Sequence, residues 1–201
     1  MSLSNPRIVA AAALLCSAAC FGQANTVYGI DIGAALNMAE CPRRDLAGSV
    51  MYGPSPEPCR QNIDPKPGMP LDPTGGLIAF PPGQQPFGSS WDSIGVFLVN
   101  DRVAALIVST PGLSMQQQIY DGLVAKYGLP TEIRRAPMQT ALGARLEAIV
   151  ATWDKGDNLQ VSFVGSAGRI DSGQLLIGTR AGLAERQERI NRAVRGTTRP
   201  L

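Results

Sequence analysis

The chain has 201 residues, with 18 Lys and Arg, 16 Asp and Glu, 4 Cys and no His. That length allows one domain or two very small ones. Apolar residues make up 44% and charged residues 17%, which excludes a disordered chain, and no apolar run reaches the ~20 residues of a membrane span. The absence of His removes Ser-His and Cys-His nucleophile pairs and nearly every catalytic zinc site.

Residues 1–24 read as a secretory signal peptide. Arg7 supplies the positive start, Ile8 to Ala19 the apolar stretch, and Gly22-Gln23-Ala24 the small residues that place cleavage after Ala24. A competing site is Ser17-Ala18-Ala19-Cys20, similar to a bacterial lipobox that would carry a lipid on Cys20. It has Ser where Leu is usual and is the weaker reading. Both readings predict a periplasmic or secreted protein. Cys41 and Cys59 are then the cysteines of the mature chain, an even pair in an oxidising compartment. Their spacing is not that of a CxxC redox or metal pair, so they are expected to form a structural disulfide.

Val27 to Ile30 is a strand candidate, and Gly33 to Glu40 a short helix ended by Cys41-Pro42. Residues 54–90 hold ten of the sixteen prolines, which remove amide donors and break helix and sheet alike. Leu77 to Phe80 is the one strand expected there. This excursion is either a plain surface loop pinned by the disulfide or a recognition loop. Phe80, Phe87 and Trp91, in or beside it, are the candidate partner-binding residues.

Ile94 to Val99 and Arg102 to Ser109 flank Asn100-Asp101, a pair suited to a two-residue hairpin turn. Ser114 and Gln117 have capping-box spacing. Met115, Ile119, Leu123, Val124 and Tyr127 repeat at helical intervals, and Gly128 with Pro130 supplies the stop. A helix over about 115–127 follows. Residues 134–143 fit no class. Leu146 to Trp153, Leu159 to Val164 and Gln174 to Thr179 read as consecutive strands of an antiparallel meander. The expected fold is α+β: about five antiparallel strands, helices on one face, and the Pro-rich excursion. Residues 1–24, 25–179 and 180–201 are the expected leader, domain and basic C-terminal helix or tail.

The last segment carries six Arg against two Glu, whereas residues 25–179 hold eleven basic and fourteen acidic side chains. Arg186, Arg189, Arg192 and Arg195 recur every three residues. They are either a solvated helix face or a contact for an anionic membrane surface, cell-wall polymer or acidic partner. Export disfavours nucleic acid.

No G-x-S-x-G elbow, P-loop or G-x-G-x-x-G after a strand is present. Lys126 and Lys155 fit a helix terminus and a turn. Asp154, Asp157 and Asn158 lack an EF-hand pattern and fit a polar turn. No metal, cofactor or catalytic residue is nominated. The resulting expectation is an exported, non-enzymatic protein that binds an envelope protein. A carboxylate-based cell-wall enzyme and a carrier of a small apolar ligand are the alternatives.

The unit from Ser114 to Thr179 adds a resemblance. A capped helix ends in Lys126-Tyr127-Gly128-Leu129-Pro130, followed by a strand bearing Trp153 and another containing Val161-Ser162-Phe163. Over about a third of the chain this resembles the helix–strand–strand pattern of small envelope lipoproteins of the BamE-like (SmpA/OmlA) type. It is also similar to the β-lactamase-inhibitor-protein-like fold. The resemblance implies helices on one face of an antiparallel sheet and protein–protein contact rather than catalysis, and it assigns no functional residue.

Overall fold

The structure, a computed structural model, describes residues 25–139, 143–156 and 158–197. The expected signal peptide and lipobox lie outside these residues. The strands in chain order are β1 (Thr26–Val27), β2 (Ile30–Asp31), β3 (Arg43–Leu46), β4 (Ser49–Tyr52), β5 (Cys59–Gln61), β6 (Gly75–Ala79), β7 (Ser93–Val99) and β8 (Arg102–Thr110). A single 3-10 turn at Gly112–Ser114 leads into helix α1 (Gln116–Tyr127). Then come β9 (Glu132–Gln139), β10 (Arg145–Lys155), β11 (Leu159–Arg169), β12 (Ser172–Thr179) and helix α2 (Arg180–Thr197).

The sheet corrects the α+β, five-strand expectation. Eight antiparallel strands form it, in the order β5-β6-β7-β8-β12-β11-β10-β9, and β1-β2 and β3-β4 are separate small hairpins. The fold is β-rich. Two four-stranded meanders meet where β8 pairs with β12, and α1 carries the chain from the centre to the far edge.

The Asn100-Asp101 turn forms as expected, both residues at positive φ. Val27 to Ile30, read as one strand, is a tight hairpin turning at Tyr28 and Gly29. Gly33 to Glu40 is extended, not helical. Gly33 N–H donates to Val103 O and Val103 N–H to Ala34 O, each at 2.8 Å, while Cys41 N–H donates to Arg60 O at 2.9 Å. Eight residues gain too little from helix propagation to outweigh pairing with existing strands.

The Pro-rich segment contributes β5 and β6, because its prolines flank these strands instead of interrupting them. Between the two strands, polar side chains supply the donors that proline lacks. Buried Asn62 donates to Pro70 O at 2.9 Å and accepts from Asp72 N–H at 2.8 Å. The Arg43 guanidinium donates to Lys66 O at 2.9 Å, and Asp45 accepts from Gly68 N–H at 2.9 Å. Cys41 and Cys59 form the expected disulfide, with Cα atoms 4.9 Å apart. By loop entropy a bridge of this span stabilises by roughly 3 kcal/mol.

Burial alternates strictly along β7 and along most of β11 and β12. The inner face, with Val96, Leu98, Leu106, Val108, Trp153, Val161, Phe163, Leu175 and Ile177, forms one core with Ile119 and Leu123 of α1 and Val27 and Ile30 of the first hairpin. Each fully buried aliphatic side chain here contributes about 1.5–3 kcal/mol. Helix α1 is bolted to β10 at both ends. The Gln116 side-chain amide accepts from Ile149 N–H at 2.8 Å and donates to Glu147 O at 2.9 Å. At the other end Trp153 Nε1–H donates to Gly128 O at 2.8 Å. The predicted capping box is not formed. Ser114 belongs to the 3-10 turn and donates to Pro111 O, while Gln117 donates to Asp121 one turn on.

Helix α2 lies on the opposite side of the sheet, which corrects the expectation of helices on one face. Phe97 alternates with the core residues Val96 and Leu98, so its ring points to the outer face, and the Arg189 guanidinium sits 4.8 Å above it. Thr179 Oγ1 caps α2 by accepting from Gly182 N–H at 2.9 Å.

The first hairpin meets the end of α1 through two phenols. Tyr28 donates to Phe87 O at 2.8 Å, and the Tyr127 hydroxyl is buried without a hydrogen-bond partner. Burial pushes both up to about 12, with Tyr127 adding to the rise at Tyr28. Their unfolded values are about 10. Below that pH both states hold the protons and stability is flat. Between about 10 and about 12 the unfolded chain alone ionises, so stability falls with pH. The fall is at most about 1.4 kcal/mol per pH unit for Tyr28, and less for the more exposed Tyr127. Thermal melts from pH 9 to 11.5 should show this drop, and Tyr28→Phe should reduce it. Equal slopes in the two proteins would refute the assignment.

Candidate binding surface

The outer face of the sheet is the candidate site. Its register brings Gly95, Ile107, Leu176, Ser162 and Thr152 into one cross-strand row, and Ser109, Gln174, Val164 and Val150 into another. Except for exposed Ser109, all of these are half-buried. None is charged. A solvated sheet face ordinarily alternates apolar residues with charged or long polar ones. Here the charges are displaced to the ends and the edge: Asp154 and Arg180 are ion-paired at one end, Arg169 and Asp171 at the other, and Glu132 and Arg134 lie on edge strand β9. The face thus has an apolar and small-polar centre with charge at its rim.

Helix α2 covers the portion of this face at Phe97 and Ala105. Gly182 lets the helix approach closely, since a Cβ there would lie 2.7 Å from that of Ala104. Beyond Arg189 the helix turns apolar side chains to solvent, with Ile190 39% and Val194 61% exposed.

The predicted site residues are dispersed. Phe80 packs against the core. Phe87 is half exposed but lies on α1, where a Cβ at Gly122 would stand 2.6 Å from its ring. Trp91 is 66% exposed and shares an open cleft with Ser90, Ser109, Thr110, Arg169, Asp171 and Ser172. The four Arg residues do not form one free row. A three-residue step turns a helix side chain by about −60°, so nine residues carry it to the opposite side. Arg186 is half-buried, and burial draws its guanidinium below its usual value. Arg189 and Arg192 both contact Glu185, whose carboxyl they hold below its ordinary range. Arg195 is exposed and donates to Asn191 O.

Among the described residues, no three His, Cys, Asp or Glu side chains cluster as a metal site, and no helix is long and apolar enough to cross a membrane. The polar turn after Asp154 serves α2, with Arg180 N–H donating to Asn158 O at 3.0 Å; Asp157 lies outside the described residues. The outer face escapes sequence reasoning because its lining is split among five strands. The available signal is the charge-free alternation in Gln160-Val161-Ser162-Phe163-Val164 and Gln174-Leu175-Leu176. Searches of family models, curated proteins and solved structures found no match to this chain.

Proposed function

We propose that the chain is an exported, non-enzymatic protein of the bacterial envelope that works by binding another protein through the outer face of its sheet. The observation that carries this reading is the charge-free, half-buried lining around Ile107, Leu176, Ser162, Val164 and Val150. It presents apolar area at its centre and keeps charge at its rim. The leader-like residues 1–24 and the Cys41–Cys59 disulfide support an oxidising compartment.

The test is to place one charge in the lining. Ser162→Lys is half-exposed and should leave Tm within a few degrees, as surface changes usually cost under about 0.5 kcal/mol. It should also abolish the complex recovered with the tagged protein, since an unpaired charge buried in an interface costs several kcal/mol. Undiminished recovery of the same complex with Ser162→Lys would contradict the proposal.

A further inference from the structure

The cleft beside Trp91 lies at one end of the outer face, sharing Ser109 and the Arg169–Asp171 pair with it, and adds an exposed indole that the face does not explain. It measures about 270 Å³ and opens at the end of the sheet where β8 leaves and β12 begins. One wall is the Trp91 ring, 66% exposed. The Arg169–Asp171 pair also lines it, joined by two parallel bonds of 3.0 and 2.8 Å with both side chains mostly in solvent. Ser90, Ser109 and Ser172 complete the polar lining with Thr110.

Both walls are held in place by the fold. Buried Ser89 accepts from Trp91 N–H at 3.2 Å and donates to Trp91 O at 2.8 Å, and Ser90 N–H donates to Ser109 O at 2.7 Å. At the Arg169–Asp171 wall, buried Ser166 donates to Arg169 O at 2.8 Å, and Leu113 N–H donates to Ile170 O at 2.9 Å. The backbone at both walls is therefore fixed before any ligand arrives, which lowers the ordering cost of binding.

We propose that this cleft binds a neutral pyranose unit of a glycan. A sugar ring has one face of C–H groups and an edge of vicinal hydroxyls. The exposed indole is a flat apolar platform for the first. The bidentate guanidinium–carboxylate pair offers N–H donors and carboxylate acceptors side by side for the second. The Ser hydroxyls, each both donor and acceptor, suit the remaining hydroxyls. Neutrality follows from the walls, whose two charges already compensate each other. Both N-acetylhexosamine chains and plain glucans share this chemistry, and the experiment separates them.

The chain has two Trp residues, and Trp153 is fully buried, so a ligand-induced change in intrinsic fluorescence reports Trp91. The full mature protein is titrated with chitotetraose and with cellotetraose, and is separately co-sedimented with purified peptidoglycan. At least one tetrasaccharide should give a saturable blue shift with a Kd on the order of 1 mM or tighter. Trp91→Ala and Arg169→Gln, both at exposed positions, should weaken co-sedimentation or Kd at least tenfold while leaving Tm unchanged. Chitotetraose with peptidoglycan, or cellotetraose alone, identifies the glycan source. No saturable shift with either sugar up to about 10 mM and no pelleting would overturn the proposal. So would binding that survives both substitutions, or Trp91-dependent binding of a protein without any glycan. Loss of the Ser162-dependent complex is a separate result and does not bear on this cleft.

Discussion

Replacing Trp153 with Ala is expected to destabilise the protein by about 3–5 kcal/mol, the range for a fully buried aromatic. The side chain is completely inaccessible and lies at the centre of the core between β10 and α1, with its ring 6.0 Å from that of Tyr120. It also ties the end of α1 to the sheet by its bond to Gly128 O. Trp153→Phe retains most of the apolar volume but frees that carbonyl, so it should cost about 1–3 kcal/mol. Urea unfolding monitored by circular dichroism measures both values. For a domain of this size the Ala variant should melt roughly 10 °C lower. A loss below about 1 kcal/mol would mean that α1 is not packed on β10 as described.

The second large effect is expected at Gly112. This residue sits at φ 68° and opens the 3-10 turn that aims the chain from β8 into α1. A Cβ there would lie 2.6 Å from Ser172 N and 2.7 Å from Asp171 C, which are backbone atoms that cannot swing aside. Gly112→Ala thus combines left-handed strain with overpacking, for a total of about 3 kcal/mol or more. Gly48 is the control. It sits at φ 80° with nothing within 4 Å of its Cβ position, so its Ala variant bears only the strain of about 1–2 kcal/mol. Equal losses at the two sites in parallel urea titrations would show that the close approach of Gly112 to the β11–β12 turn is absent. Because that turn carries Arg169 and Asp171, Gly112→Ala should also disturb the Trp91 cleft.

These two sites show what local sequence can and cannot reveal. The periodicity of Ile119 and Leu123, the stop at Gly128 and the Asn100-Asp101 turn are local signals, and they placed α1 and the central hairpin within a residue or two. The disulfide was legible from cysteine count and spacing. Strand β9 was not. As an edge strand with most of its side chains exposed it needs no alternation, and Arg134, Arg135 and Pro137 are devices that keep an edge from pairing further. Strand β6 was anticipated at Leu77 to Phe80, whereas β5 was hidden among prolines that only border it. The segment 33–40 carries a helical spacing that its pairing with β8 overrides. The assignment of α1 and α2 to opposite faces depends on the crossover to the far edge, which no local window contains.

The candidate surface follows the same division. Exposed Trp91 could be singled out by its chemistry and its position beside the Pro-rich segment. The charge-free lining could not, because Ile107, Leu176, Ser162 and Val150 become neighbours only once the strand order β8-β12-β11-β10 is known. The threefold Arg spacing, in contrast, suggests a stripe that helix geometry disperses.

Site-specific photocrosslinking in the native envelope tests the central claim most directly. A benzophenone side chain is placed singly at Ile107, Ser162 and Val164 on the outer face. Controls carry it at Ile63 and Leu129, which are 74% and 81% exposed and lie away from this lining. The three outer-face positions should trap the same protein of different mass, and the two control positions should not. Adducts at the controls alone, an adduct of two copies of this chain, or no adduct at any outer-face position would contradict the claim.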